Sequence, residues 1–179
     1  MEYFDIVDEN GCETGHAKER FLVHRDGDWH KGVHVWILNG DKVLLQKRVP
    51  GKDSFPNCYD VSCGGHVSAG DNYEDTALRE LNEELGITAS IKDLVFIEER
   101  KHITEDPPRK FINREVLRVY LLQLKFNPSA IIFQDQEVSE IRLLSIEALR
   151  KLLKKEPDLF TPNVSSRIIK ILEDTISGV

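Results

Sequence analysis

The chain has 179 residues, 40% of them hydrophobic, enough for one sizeable core, and its 31 acidic against 24 basic residues (net charge −7) argue against a nucleic-acid-binding surface. No apolar run approaches the roughly 20 residues of a membrane span, and the acidic N-terminus resembles no signal peptide. Cys12, Cys58 and Cys63 are too few and too unpatterned for a disulfide framework or a zinc site, so a cytoplasmic, reducing compartment is expected. In chain order, residues 4–7 read as a short strand before the turn Asp8-Glu9-Asn10-Gly11, and 17–23 as a short helix. Residues 33–38 and 42–47 alternate and flank Asn39-Gly40-Asp41, a strong hairpin signal. Residues 50–57 form a loop, and 59–63 a strand leading into a glycine-rich turn. Residues 91–103 and 115–126 read as longer strands joined by a loop over 104–110, 139–144 as a further strand, and 145–154 and 164–175 as helices. No repeat, low-complexity tract or linker interrupts this order, so one domain over 1–179 is expected. Strands mixed with a few helices suggest an α/β/α sandwich.

Residues 65–87, GHVSAGDNYEDTALRELNEELGI, are the most informative. On a helix, Glu80, Glu83 and Glu84 fall at i, i+3 and i+4 and share one face, while Ala77, Leu78, Leu81 and Leu85 fall on the buried side. Like charges on adjacent turns repel. A hard divalent cation relieves that conflict, because Mg²⁺ is held by a few carboxylates plus substrate phosphates. Acidic faces without a ligand are common on surface helices. Here, though, the face belongs to a unit with specified ends: the turn Cys63-Gly64-Gly65-His66 before it, Asp71 as N-cap with Glu74 in a capping box, and Gly86 as the C′ residue.

The segment resembles the Nudix box, G-x5-E-x7-R-E-U-x-E-E-x-G-U with U aliphatic. Gly65, Arg79, Glu80, Leu81, Glu83, Glu84, Gly86 and Ile87 match it, and Asp71 stands where the family has a glutamate. The resemblance implies the Nudix-type α/β/α sandwich with a mixed sheet, a β-containing N-terminal extension over 1–31, the box at 65–87 and C-terminal helices over 145–179. It implies that Glu83 and Glu84 bind Mg²⁺ or Mn²⁺, that Glu80 orients or deprotonates water or binds a second ion, that the Gly64 carbonyl completes the shell, and that Arg79 holds the glutamates by ion pairing. The activity implied is hydrolysis of the diphosphate linkage of a nucleoside diphosphate derivative or related small diphosphate. The partner is then a small-molecule diphosphate, not a nucleic-acid polymer or a membrane, and a homodimer is compatible with the family.

A wider likeness over roughly the first 150 residues is to the Nudix subgroup containing type I isopentenyl diphosphate isomerase. It is carried by Phe4-Asp5-Ile6-Val7-Asp8-Glu9-Asn10-Gly11, His24, Trp29-His30, His34-Val35-Trp36 and Leu45-Gln46-Lys47-Arg48. By that resemblance His24, His30 and His66 are metal-ligand candidates, and Glu115 stands where the isomerases keep a glutamate. Two isomerase positions differ: Gly64 replaces the acid cysteine, with Cys63 one residue earlier, and Asn113 replaces a metal-binding glutamate. Hydrolysis is therefore expected, with an isopentenyl diphosphate isomerase-like enzyme and a non-catalytic diphosphate-binding module as alternatives. For the further acid that Nudix hydrolases use outside the box, Glu115 and Glu137 are candidates, with Glu140 third. Arg48, Lys47 and Arg109 are basic residues that could touch phosphate, the loop over 104–113 is expected to contribute to recognition, and Trp36 and Tyr120 are expected in the core.

Overall fold

The computed structural model describes residues 1–52, 54–128, 131–133 and 136–177. Along the chain run β1 (Tyr3–Val7), β2 (Glu13–Glu19), α1 (Arg20–Asp26), β3 (Trp29–Asn39), β4 (Lys42–Arg48), β5 (Tyr59–Asp60), β6 (Cys63–His66), α2 (Tyr73–Leu85), β7 (Leu94–Asp106), β8 (Phe111–Gln123), β9 (Val138–Ser145), α3 (Ile146–Lys155) and α4 (Ser166–Ser177). The chain forms two compact units: residues 1–34, 64–80 and 89–120, and residues 35–63, 81–88 and 121–179.

In the first unit β1 and β2 form a two-stranded antiparallel sheet, pairing Phe4 with Lys18 and Asp5 with Ala17. The turn between them is fixed by Asp8, whose Oδ1 accepts from the backbone N–H of Asn10 and Cys12. The helix expected from residue 17 begins only at Arg20, because residues 17–19 are taken into β2 by β1. It ends at Gly27, which sits at φ 71° and donates its N–H to Val23 O. The remaining strands of this unit run in the order β6-β3-β8-β7. The loop expected over 104–110 is shorter than read: β7 runs to Asp106, and the connection is a 3-10 turn over Pro107–Arg109 closed by Lys110 in the left-handed region. Two prolines with fixed φ favour so tight a reversal.

In the second unit the β3–β4 hairpin closes as expected, with Leu38 opposite Val43 and Asn39 opposite Lys42 around Gly40 at φ 66°. β4 pairs antiparallel with β9 along its whole length and with the short β5. The strand expected over 59–63 is broken into β5 and β6 at residues 61–62, where Ser62 turns its hydroxyl inward, accepting from Ile37 N–H and donating to Leu44 O. Trp36, Leu44, Leu45, Leu81, Leu85, Leu121, Leu122 and Leu149 are fully buried here. Ser145 caps α3, its Oγ accepting from Ala148 N–H at 3.2 Å.

Candidate active site and histidine cluster

The acidic segment is helical as its spacing predicts, but the N-cap is Asn72 rather than Asp71. Asn72 Oδ1 accepts from Asp75 N–H (2.8 Å), and Asn72 Nδ2 donates to the Asp75 carboxylate (2.7 Å). Asn72 therefore does the job expected of Asp71, and Glu74 instead accepts from the Tyr120 hydroxyl at 2.7 Å. At the other end Gly86 sits at φ 62°, Gly86 N–H donates to Asn82 O, and Ile87 N–H to Leu81 O, the C-terminal closure its sequence implied. Ala77, Leu81 and Leu85 are buried and Leu78 half-buried.

The three glutamates differ in environment. Glu83 is exposed. Glu84 is only 4% exposed, and its Oε2 accepts from Gln46 Nε2 at 3.3 Å. Glu80 is half-buried, with Arg79 Nη2 3.0 Å from its Oε1. Burying carboxylates in such a group is unfavourable unless positive charge is near, and the donor set, all oxygen, suits a hard divalent ion.

The glycine-rich turn fits around these side chains. A Cβ on Gly65 would lie 2.9 Å from Glu80 Cγ and nearer still to its carboxyl carbon and Oε1. Gly65 is thus the seat of the Glu80 carboxylate, a close approach that no other residue permits. A Cβ on Gly64 would meet His34 Cδ2 at 2.8 Å and Val33 O at 3.0 Å, so a cysteine here requires His34 to shift. Cys63 is fully buried, as expected of a small apolar residue.

His24, His30 and His66 converge. One ring nitrogen of each lies within 4.8 Å of the others. All three Nε2 atoms are buried, and hydrogen bonding to the Asn113 side chain offsets part of the pKa fall of each ring. His30 Nδ1 is 3.1 Å from Asp28 O; donating its proton there leaves the lone pair on Nε2, the tautomer a metal needs. Phe4 stacks on His30 and His66, with ring centroids 5.1 and 4.8 Å away, and Phe111 lies 4.5 Å from His24. Burial pushes the His24 pKa down to about 3 and that of His30 to about 4, and holds His66 well below its ordinary value, with mutual repulsion lowering His24 and His66 further. The rings are neutral, and the chemistry of the set fits a metal ion. Glu115 Oε1 is 3.6 Å from His66 Nε2, outside the tight group but beside it. Gly32 makes room for Glu115, since a Cβ there would stand 2.9 Å from its carboxyl carbon.

The other candidates have the following partners. Glu137 is paired with Lys52 (2.6 Å), and the preceding Gln134 and Asp135 lie outside the described residues. Glu140 accepts from the Tyr59 hydroxyl at 2.9 Å and is 3.9 Å from Lys47 Nζ. Arg48 is engaged by Asp60 (3.2 Å) and donates to Ser54 O (3.0 Å). Arg109 is exposed beside Asp106 at 2.8 Å. Trp36 and Tyr120 are core residues. Sequence reasoning missed Gln46, Gly32 and Asn72. Gly32 carries no motif of its own, and Asn72 was hidden because Asp71, one residue earlier, also satisfies a capping pattern.

The NUDIX domain family model matches residues 28–164, and the chain belongs to that family. It is 42% identical to Nudix hydrolase 3 of Arabidopsis thaliana over 170 residues, which cover 90% of this chain but 21% of that relative; the chain thus spans about a fifth of that protein's length. It is 31% identical over 148 residues to isopentenyl-diphosphate Delta-isomerase of Cereibacter sphaeroides, covering 80% of this chain and 79% of the relative. The crystal structure of DR0079 from Deinococcus radiodurans superposes with a TM-score of 0.70 at 22% identity, covering 96% of this chain and 99% of that one, which shows the shared α/β fold. Among the described residues no helix is long and apolar enough to cross a membrane.

Proposed function

We propose that the protein is a metal-dependent hydrolase cleaving the diphosphate linkage of a nucleoside diphosphate derivative or related small diphosphate. The observation that carries this reading is the seat made by Gly65 for the Glu80 carboxylate on the helix that also bears Glu83 and Glu84. Glu83 and Glu84 would hold Mg²⁺ or Mn²⁺, which would supply positive charge to the diphosphate oxygens and to the attacking water. Glu80, held by Gly65 and Arg79, takes the proton of that water. The water oxygen forms a new bond to phosphorus, the bond from phosphorus to the bridging oxygen breaks, and two phosphate-bearing products leave. Glu84, fixed by Gln46, is preorganised for its ligand role. Glu115 and Glu137 stay the candidates for the further acid outside the box; Glu115 lies beside His66 and Glu137 is paired with Lys52.

The histidine cluster supports a second, separate metal locus of His24, His30 and His66. It also keeps the isomerase alternative in view. Against isomerisation stands Gly64, which has no acid side chain and is closely packed against His34 and Val33 O.

Turnover across a panel of nucleoside di- and triphosphates, nucleotide sugars, dinucleotides, coenzyme A and isopentenyl diphosphate, with Mg²⁺ or Mn²⁺, tests the reading. Phosphate release, after added phosphatase where products need it, is expected for at least one diphosphate and is lost in Glu83→Gln/Glu84→Gln. Interconversion of isopentenyl and dimethylallyl diphosphate at enzymatic rates would overturn it. Ligand binding unchanged in the double variant, with no turnover by either protein, would favour a binding module.

A further inference from the structure

β7 is the last strand in its sheet's order, after β8, so its outer edge carries a row of backbone N–H and C=O groups directed away from β8. The same strand displays apolar surface: Val95, Phe96 and Ile103 are each more than half exposed. The faces of the strand follow from its contacts. The Phe96 ring meets that of Tyr120 with centroids 5.9 Å apart, and Glu99 Oε2 accepts from Arg118 Nε at 2.8 Å. Arg118 and Tyr120 are two residues apart on β8 and share a face, so Phe96 and Glu99, three apart on β7, share one as well. β7 therefore bulges by one residue at Ile97-Glu98. Beyond the bulge Glu99, Lys101 and Ile103 are exposed on the Phe96 face, while Arg100 and His102 are half-buried on the other, His102 with its ring 6.1 Å from that of His34.

We propose that β7 is a homodimer interface, pairing antiparallel with β7 of a second copy about a twofold axis at Arg100. Residues directly opposite in an antiparallel pair share a face, and a twofold axis repeats every contact. With the axis at Arg100 and the bulge counted as one position, Glu99 lies opposite Lys101 of the second copy, and Phe96 opposite its Ile103. One face of the joint then carries two acid–base pairs flanked by two apolar pairs, and the exposed Phe96 and Ile103 leave water together. On the other face Arg100 meets its own copy, each with Glu98 Oε1 3.5 Å from its Nε. Glu99 and Lys101 remain able to pair. Their contacts with Arg118 and, at 3.5 Å, with Glu9 leave a carboxylate with free acceptor capacity and an ammonium with free donors. Charge on an edge strand ordinarily wards off pairing, but here the order of signs selects one register. An axis at Glu99 would set Glu99 against itself and Lys101 against Phe96. An axis at Lys101 would set Lys101 against itself and Glu99 against Ile103. A strand complementary to itself in a single register fits a second copy of this chain.

The test is sedimentation equilibrium of the full chain, with a thermal melt of each variant to show that it is folded. The parent is expected to be a dimer at micromolar concentration. Glu99→Lys and Lys101→Glu each place like charges opposite one another twice, and each should weaken the dimer about 10-fold or more. Glu99→Lys/Lys101→Glu restores opposite charges with the signs exchanged, and should bring the dissociation constant back to within about threefold of the parent's. A role of either residue within the monomer alone would not produce that rescue. A parent that stays monomeric up to about 100 μM overturns the proposal. So does a dimer unchanged by one or both single variants, or one that the double variant fails to restore. Should Glu99→Lys not fold, Ile103→Asp decides: about 10-fold weakening supports the interface, and a dimer as tight as the parent's overturns it.

Discussion

Replacing Gly65 by alanine adds one methyl group at the point where the turn touches Glu80. That methyl would stand 2.9 Å from Glu80 Cγ and closer to the carboxyl group, whereas ordinary contact begins near 3.4 Å. Because the clash is with the end of a side chain, the carboxylate gives way, by about 1 Å, a misplacement that costs on the order of 10²-fold in rate. That factor corresponds to about 2.7 kcal/mol of transition-state stabilisation. The assay is kcat on the best diphosphate from the panel, alongside Gly51→Ala, where an added Cβ meets nothing within 4 Å. Gly65→Ala should lose about 10²-fold in kcat and Gly51→Ala nothing. Combining Gly65→Ala with Glu80→Gln should cost little more than Glu80→Gln alone, since both act through one carboxylate. A folded Gly65→Ala enzyme within threefold of the parent would refute the assignment of Gly65 as the seat of Glu80.

Further predictions concern ligands, caps and pH. Glu83→Gln/Glu84→Gln should abolish Mg²⁺-dependent turnover while leaving thermal stability within a few degrees of the parent; retained turnover would contradict the ligand assignment. Asn72→Ala removes the α2 N-cap and should cost about 1 kcal/mol, lowering the melting temperature by roughly 2–4 °C for a chain of this size; an unchanged melting temperature would count against Asn72 as the cap. Gly64→Cys should destabilise the protein through contact with His34 and Val33 O and confer no isomerase activity. The buried histidines titrate below their ordinary value of 6.5, His24 at about 3 and His30 at about 4. As pH falls through 6.5 the unfolded chain therefore takes up protons that the folded one refuses, and stability declines towards pH 4. In chelator, calorimetry should show the melting temperature falling from pH 7 to pH 5, less steeply in His30→Gln; a flat profile would contradict the burial of neutral imidazoles.

The parts of the fold that were legible are those where local chemistry decides. Asn39-Gly40-Asp41 announced its hairpin because the turn requires positive φ, and Gly86 marked the end of α2 for the same reason. Residues 17–19 misled because their partner is β1, and strand pairing at a distance leaves no local mark. The turn at 107–110 looked longer than it is because polar residues on the exposed side of β7 read as loop. At the site, the carboxylate spacing on α2 and the three histidines were visible as residue types. What the sequence did not show was which space each glycine leaves open: Gly65 for Glu80, Gly32 for Glu115. Those are contacts between residues far beyond neighbouring positions, each defined by an absent side chain.

The most direct test of the central claim is hydrolysis run in ¹⁸O-labelled water with Mg²⁺, reading products by mass spectrometry. Attack of water at phosphorus predicts one ¹⁸O atom in one phosphate-bearing product of the cleaved diphosphate, and no product from Glu83→Gln/Glu84→Gln. An intact diphosphate with its carbon–carbon double bond moved and no label taken up would contradict it.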